Sequence, residues 1–367
     1  MKKLFSAALI LIIPLTFMAC RSGGPVEIVT GTVAAGLQSS YVIHQDGNLW
    51  AWGGNSRGQL GNGTTQSHYS HKMIMEDVEF IAAGREHAAA IAACGSLWAW
   101  GNNGHGQLGD GTTEDRYSPV AIMDNVIYVA AGYEHTLAIT TDGSLYTWGR
   151  NHKGQLGDGT DIDRLIPVKI MDGVAQVSAG REHTMAVMTD GSLWAWGRNH
   201  RGQLGDGTEE DRHGPTRIMD NVAKVSAGAE HTALLMEDGS IWTWGNNVQG
   251  QLGDGTRRAS LEPIKIMDDA VFVTTGSADT FVITTYGELW AWGASVREIE
   301  PLRLMANVAA VSASPRAVEQ FDSGHLLIVR TDGSLWAMGA NRDGQLGIGM
   351  TAQGRHLSAV AVRVSHQ

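Results

Sequence analysis

The chain has 367 residues, with 47 glycines and 12 tryptophans but only 8 prolines and 2 cysteines. Its glycine content is well above the usual 7%, yet its hydrophobic content of 43% excludes a disordered or collagen-like chain. A formal net charge of −11 argues against nucleic-acid binding, and two cysteines cannot build a disulfide scaffold.

The first 20 residues have the composition of an export signal. Two lysines precede an apolar stretch from Leu4 to Phe17 that is short for a membrane span. The end of this segment resembles a bacterial lipoprotein signal, in which a cysteine becomes the acylated first residue of the mature chain. Phe17 stands where leucine is usual. We expect a signal peptide over residues 1–19, lipid attachment at Cys20 and a tether over residues 20–25, with plain secretion as the alternative.

Seven near-copies of one unit follow. The unit that begins at Asp190, DGSLWAWGRNHRGQLGDGT, has near-copies at the same relative positions along most of the chain. Its second-position glycine recurs at Gly47, Gly95, Gly143, Gly191, Gly239, Gly287 and Gly333. Five of these spacings are 48 residues and the last is 46. A fixed period of this length is typical of repeat architectures.

Each unit reads as four short antiparallel strands. In the fourth unit, AQVSAG over residues 175–180 is the first strand and TMAVMTDG leads to a hairpin at Asp190 and Gly191. SLWAWGRN is the third strand, and PTRIM from Pro215 is the outer strand, where proline is tolerated at an edge. The sequence therefore predicts an all-β fold: a seven-bladed propeller of four-stranded antiparallel blades, in one domain over residues 26–367.

These residues carry a family resemblance. W-G-x-N-x-x-G-Q-L-G followed by D-G-T, with A-G-x-x-H-T upstream, resembles the regulator of chromosome condensation repeat over about Val26 to Val364. The resemblance implies a seven-bladed propeller. SAVAVRV, over residues 358–364, and PVEIV from Pro25 both look like outer strands, and either could close the ring.

The aromatic and charged positions of the repeat have two interpretations each. All twelve tryptophans occupy W-x-W positions, and we expect packing between blades rather than carbohydrate binding. The paired glutamates and histidines of four units are candidate partner-binding residues: Glu86, His87, Glu134, His135, Glu182, His183, Glu230 and His231. The competing interpretation makes each histidine a structural hydrogen-bonding group that ties blade turns together. If the glutamates, Arg85 and Arg181 are instead exposed, they would form a charged rim suited to a protein partner.

Symmetry breaks between the sixth and seventh units. The sixth lacks the GQLGDGT turn, and the seventh gains residues between Val311 and His325. Because both changes fall on connections at the same end of a blade, we predict that they are neighbours and that residues 314–323 cover the gap. The inserted residues add further candidates for partner binding: Arg316, Glu319, Gln320 and Phe321.

No catalytic or cofactor motif stands out. The Gly-rich turns lack the Lys-Ser/Thr ending of a phosphate-binding loop and precede a strand. Their single carboxylates, at Asp110, Asp158, Asp206 and Asp254, are too few for calcium. No nucleophile elbow, Cys/His pair or zinc-ligand spacing is present in the sequence. We expect neither enzymatic activity nor a metal or cofactor.

These features favour a binding scaffold: an exported, lipid-anchored monomeric propeller that recognises an unidentified protein at the bacterial cell envelope. Three alternatives remain open. A secreted bacterial member of the similar family blocks beta-lactamases, so inhibition of beta-lactamase or penicillin-binding-type enzymes is one. Guanine-nucleotide exchange, the family's eukaryotic role, is the second, and carbohydrate binding is the third.

Overall fold

The computed structural model describes residues 33–315, 324–348 and 355–362. Within these ranges the chain forms 28 strands in seven antiparallel sheets of four, arranged as a β-propeller, which confirms the predicted fold. None of the described residues belongs to a helix that is long and apolar enough to cross a membrane.

Every blade consists of four consecutive strands. Blades 1 to 4 contain β1 to β16, which span Val33–Ala35, Ser39–Ile43, Leu49–Gly53, His68–Met75, Val78–Ala83, His87–Ala92, Leu97–Gly101, Arg116–Met123, Val126–Ala131, His135–Thr140, Leu145–Gly149, Arg164–Met171, Val174–Ala179, His183–Met188, Leu193–Gly197 and Arg212–Met219. Blades 5 to 7 contain β17 to β28, which span Val222–Ala227, His231–Met236, Ile241–Gly245, Ser260–Met267, Ala270–Thr275, Asp279–Thr284, Leu289–Gly293, Glu298–Met305, Val308–Ala313, His325–Arg330, Leu335–Ala340 and Arg355–Ala361.

Among the described residues, the ring closes without exchange of a strand between the chain ends. Strand β28 pairs antiparallel with β27 and completes the seventh blade, with Ala361 opposite Trp336. Part of the SAVAVRV segment therefore is an outer strand, as its sequence suggested. The PVEIV segment lies outside the described residues. Blade 1 starts with its own inner strand β1, which pairs with β2.

The hydrophobic core lies between blades, not inside them. Seven buried clusters are present in the described residues, and each is shared by two neighbouring blades. Trp194 and Trp196, on one face of β15, pack against Leu137 and Ile139 of the preceding blade. This confirms the predicted role of the W-x-W positions. A single blade cannot bury both of its faces, so the repeats stabilise one another.

The connections between strands divide the propeller into two faces. We call the face that carries the strand 1–2 and strand 3–4 connections of each blade the loop face. In blade 4 these connections are joined by a hydrogen bond from Arg198 N to Glu182 O, 2.8 Å. The opposite face carries the strand 2–3 turns, where Gly191 has a φ of 79°. It also carries the links between blades, where Asn221 has a φ of 60°.

The shortened connection of blade 6 and both ends of the insertion in blade 7 lie on the loop face, as the sequence predicted. The shortened connection of blade 6 bonds the neighbouring strand 1–2 connection through Ser295 Oγ and Asp279 Oδ2, 2.8 Å apart. The inserted segment of blade 7 starts and ends where Ser314 N donates to His325 O, 3.0 Å. Residues 316–323, which we expected to cover the gap, lie outside the described residues.

Candidate functional site

A buried hydrogen-bond chain links consecutive blades beneath the loop face. In blade 4, His183 Nε2 lies 3.3 Å from Thr232 Oγ1 of blade 5, and that hydroxyl donates to Gln203 O at 2.8 Å. The hydroxyl has one proton, which it donates to the carbonyl in a hydrogen bond. In the contact between His183 and Thr232 the imidazole Nε2–H must therefore be the donor. Burial lowers the pKa of His183 to about 3, which keeps the ring neutral.

The same contact recurs at four other blade interfaces. Its members are His87 with Thr136, His135 with Thr184, His231 with Thr280, and His325 with Ser40, at 2.7–3.1 Å. The structure therefore buries His87, His135, His183 and His231, so these side chains cannot contact a partner in this conformation. They hold the blades together instead, which was the competing interpretation of the sequence.

The two blade interfaces without this contact lack both the histidine and the hydroxyl that would form it. Ser39 stands at the histidine position of blade 1, and Ala88 stands at the hydroxyl position of blade 2. Asp279 and Leu326 make the corresponding pair between blades 6 and 7. A histidine is thus present only where a residue with a hydroxyl lies 49 positions later in the chain. His325 is the exception, because its hydroxyl partner is Ser40, across the ring closure. The sequence contained this signal, but only a comparison of adjacent units at that offset would have revealed it.

The second tryptophan of each W-x-W pair depends on the Gly-rich turn of the preceding blade. Trp196 Nε1 donates to Gln155 O at 3.0 Å, and the same bond occurs at five other interfaces, at 2.8–3.0 Å. Blade 6 has no such turn, and at the following interface Met338 replaces the tryptophan. A buried indole N–H without an acceptor would lower the stability of the fold at this interface. The absence of the turn in blade 6 therefore explains the absence of the tryptophan in blade 7.

The carboxylates of the Gly-rich turns are used within the turns. Asp206 accepts hydrogen bonds from Asn199 and Thr208, and it forms an ion pair with Arg212, 2.8 Å. Burial raises the pKa of Asp206, but these hydrogen bonds outweigh it and lower the pKa overall. Within the part of the chain that the structure describes, no cluster of three or more acidic, histidine or cysteine side chains could hold a metal ion.

The four candidate glutamates lie at the loop face, each bound to the connection beside it. Glu182 pairs with Arg198 and lies 3.1 Å from His152 Nε2 of the preceding blade. Glu134 pairs in the same way with Arg150, and His105 lies 3.9 Å away. Glu230 accepts from Asn246 Nδ2 at 2.9 Å, and Glu86 accepts from Asn102 Nδ2 at 3.2 Å.

These pairings lower the pKa of Glu182. Burial raises it, but the hydrogen bond and charge of Arg198, together with the nearby His152, outweigh the effect of burial. Such carboxylates are held in a fixed position by the connections on either side. The glutamates therefore form a rigid surround to the centre of the loop face.

An arginine–tyrosine–arginine cluster stands at the centre of the loop face. Tyr133 of blade 3 is 7% exposed and hydrogen-bonds Ser277 of blade 6. The guanidinium carbons of Arg85 and Arg181, on the two flanking blades, lie 6.0 and 5.6 Å from the centre of its ring. Burial raises the pKa of the Tyr133 hydroxyl, so it remains a neutral hydrogen-bonding group.

Tyr133 of this cluster lines a cavity of about 150 Å³, and the other lining residues lie at the ends of the first strands of blades 2 to 7. Its other lining residues are mainly small, and four of them carry hydroxyls: Ser178, Ser226, Thr275 and Ser277. We call the cavity and the three residues Arg85, Tyr133 and Arg181 the axial mouth. The sequence singled out the two arginines as part of a charged rim, but it did not single out Tyr133.

The remaining candidates cannot be placed. Arg316, Glu319, Gln320 and Phe321 lie outside the described residues, as does Cys20.

Comparison with known proteins places the fold. A family model described as an RCC1-like domain matches residues 18–299. Human WBSCR16 is 21% identical over 80% of this chain and 86% of its own, with a TM-score of 0.71. Yeast RCC1 (Prp20), solved in complex with Kap60, is 18% identical over 97% of this chain and 90% of its own, with a TM-score of 0.75. No curated protein matches the sequence.

Proposed function

Because the chain belongs to the RCC1-like domain family, we propose that it is a non-catalytic scaffold that recognises another protein through its loop face. We further propose that it is exported and held at the bacterial cell envelope by a lipid on Cys20. The proposal for export and anchoring is supported by the first 20 residues of the sequence.

One observation carries the proposal of recognition: the strand 1–2 connections of the loop face vary where the interior repeats. The buried histidine, hydroxyl and tryptophan contacts recur from blade to blade with nearly constant distances. The residue after the A-G pair, which is T-G in blade 6, instead takes five identities in the first six blades: Leu37, Arg85, Tyr133, Arg181, Ala229 and Ser277. Rigid frames with variable connections are typical of binding proteins, and tyrosine and arginine are common at the centre of interfaces.

Site-specific photo-crosslinking tests the loop face directly. A benzoylphenylalanine replaces Arg201 on the loop face of blade 4, and a matched variant carries it at Thr189, on the opposite face of the same blade; both positions are exposed. We expect adducts with a protein in envelope extracts from the Arg201 position only, identified by mass spectrometry. Adducts from Thr189 alone, or from neither position, would contradict the proposal.

The anchor has its own test. Cells expressing the full chain are labelled with radioactive palmitate, and we expect the protein to be labelled. The Cys20→Ala variant should lose the label, because it lacks the thiol that would be acylated. Label that persists in that variant would contradict the assignment of Cys20.

A further inference from the structure

We propose that the side-chain amine of Lys224 is a covalent binding site for a small, uncharged carbonyl compound, which it holds as an imine. The inference goes beyond the proposed function, because Lys224 lies on the inner strand β17 and not in a connection of the loop face. Three features of its surroundings carry it: the amine has no anionic partner, it packs against an aromatic ring, and the side chain remains partly exposed.

Lys224 belongs to a belt of side chains on the inner strands, which surround the axis of the propeller. It is the third residue of its strand, and the same position holds Phe80, Tyr128, Gln176 and Phe272 in other blades. The ring centres of Phe80 and Tyr128 are 5.1 Å apart, and Tyr128 hydrogen-bonds Gln176. These contacts join neighbouring blades. Among the described members of the belt, Lys224 alone is charged.

The amine of Lys224 has no hydrogen-bond or ion-pair partner among the described residues. Its Nζ lies 3.8 Å from the ring centre of Phe272, in the next blade. Three other described lysines each pair with an aspartate: Lys153 with Asp211, Lys169 with Asp172, and Lys265 with Asp268. A partly buried cation without such a partner is destabilised relative to the neutral amine.

The neutral amine of Lys224 is therefore accessible near physiological pH. Burial, with no carboxylate to oppose it, lowers the pKa of Lys224 to about 8. The face of the Phe272 ring attracts the ammonium, but less strongly than the water that the amine has lost. A lysine that is desolvated in this way is a nucleophile toward carbonyl carbon.

Imine formation at Lys224 needs only the amine and the carbonyl compound. The lone pair of the neutral Nζ attacks the carbonyl carbon, and the carbonyl oxygen takes up the proton that the nitrogen releases. The resulting carbinolamine loses water, which forms the C=N bond. Nothing is oxidised or reduced in these steps.

The surroundings of Lys224 favour a small and uncharged compound. The residue before the belt position is Ala175, Ala223 and Val271 in blades 4, 5 and 6, and all three are exposed. These short apolar side chains leave room beside the amine and offer no hydrogen bond to a charged group. A small aliphatic aldehyde fits this description.

Reductive alkylation tests the site. The full chain is incubated at pH 7 with propanal and cyanoborohydride, which traps an imine as a propylated amine, and its peptides are followed by mass spectrometry. We expect Lys224 to react about tenfold faster than Lys265 or more, because a larger fraction of its amine is neutral. Lys265 is the matched control, since it lies in the same blade and Asp268 raises its pKa.

Two variants and the pH dependence complete the test. Lys224→Arg should lose the fast-reacting site, whereas Lys265→Arg should leave the rate at Lys224 unchanged. That rate should rise up to about pH 8 and level off above it, as the amine loses its proton. Equal rates at Lys224 and Lys265 would overturn the inference. Alkylation of Lys224 only in urea would also overturn it, because the folded protein would then exclude the compound.

Discussion

Each of the buried histidines is a neutral donor whose role is set by the hydroxyl that it contacts. Thr232 uses its only O–H to donate a hydrogen bond to Gln203 O, so in its contact with His183 the hydroxyl oxygen is the acceptor. Gly180 lets the ring fit, since a Cβ there would lie 2.2 Å from His183 Cε1 and 2.6 Å from Gly228 O of the next blade. The A-G-x-x-H-T motif therefore has a glycine and a histidine at the positions where two blades approach each other closely.

A double-mutant cycle measures this contact. His183→Phe and Thr232→Val should each lower the free energy of unfolding by about 1–3 kcal/mol, because each leaves a buried polar partner unsatisfied. The double variant should lose less than the sum of the two, since it leaves neither the imidazole nor the hydroxyl without a partner. Urea denaturation gives the energies. Strictly additive losses would show that the two groups do not interact.

The buried histidines also predict acid sensitivity. The pKa of His183 falls from about 6.5 in the unfolded chain to about 3 in the folded protein, so the unfolded state takes up the extra proton between those values. Its contribution to the free energy of unfolding is therefore complete above pH 6.5 and is lost as the pH falls toward 3.

Urea denaturation at pH 4 to 6 checks this behaviour. His183→Gln should reduce the slope of unfolding free energy against pH by about 1.4 kcal/mol per pH unit, which corresponds to one proton. His213→Gln, at an exposed position of β16, is the matched control. An unchanged slope in His183→Gln would rule out a neutral buried imidazole at this position.

At the scale of the structural element, the Gly-rich turn of one blade and the third strand of the next form one unit. Gln155 O accepts from both Trp196 Nε1 and Thr184 Oγ1. Gly205 lies against the ring of Trp244, where a Cβ would be 2.7 Å from Nε1, and its φ is 79°. The turn therefore needs glycine for two reasons, which accounts for part of the glycine excess of the chain.

Two substitutions test this dependence. Trp196→Phe should lower the free energy of unfolding by about 1–3 kcal/mol, because the N–H donor to Gln155 O is lost. Met338→Trp, which restores the repeat consensus in blade 7, should also destabilise the protein, since blade 6 offers no turn carbonyl to its indole N–H. Both are measured by urea denaturation. A Met338→Trp variant that is more stable than the unmodified protein would contradict the coupling.

The repeat made the fold predictable, whereas the axial mouth was not. Period-2 alternation and the D-G turns placed the first three strands of blade 4 to within about two residues, because the same pattern recurs in every repeat. The outer strand, predicted from Pro215, begins earlier, at Arg212. Tyr133 occurs once, at a position that differs between blades, so no pattern marks it. Its contact with Ser277 spans blades 3 and 6 and arises only when the ring closes.

At the scale of the whole molecule, the chain ends meet at an interface like the others. Trp52 Nε1 donates to Gln345 O at 2.9 Å, and His325 Nε2 lies 2.7 Å from Ser40 Oγ. Buried residues of blades 1 and 7 share one apolar cluster. Within the described ranges, side-chain contacts and not an exchanged strand join the first blade to the last.

Circular permutation tests that conclusion. A permutant with residues 33 and 362 joined by a flexible linker, and with new ends between Asp172 and Gly173, keeps every four-stranded sheet continuous. It should fold with near-native near-ultraviolet circular dichroism and thermal stability. A second permutant, opened between Asp190 and Gly191, divides blade 4 and should be less stable. The opposite order of stability would contradict closure by whole blades.

One interface within the ring differs from the rest. Among the described residues, that between blades 6 and 7 has neither the histidine–hydroxyl bond nor the tryptophan–carbonyl bond, and apolar contacts of Phe281, Leu326 and Met338 take their place. Apolar contacts lack the directionality of hydrogen bonds, so blades 6 and 7 are the pair least restrained against sliding or parting. Amide hydrogen exchange should therefore reach β22 and β26 sooner than β2. The ring would open most readily between blades 6 and 7, one blade away from the interface at which the first and last blades meet.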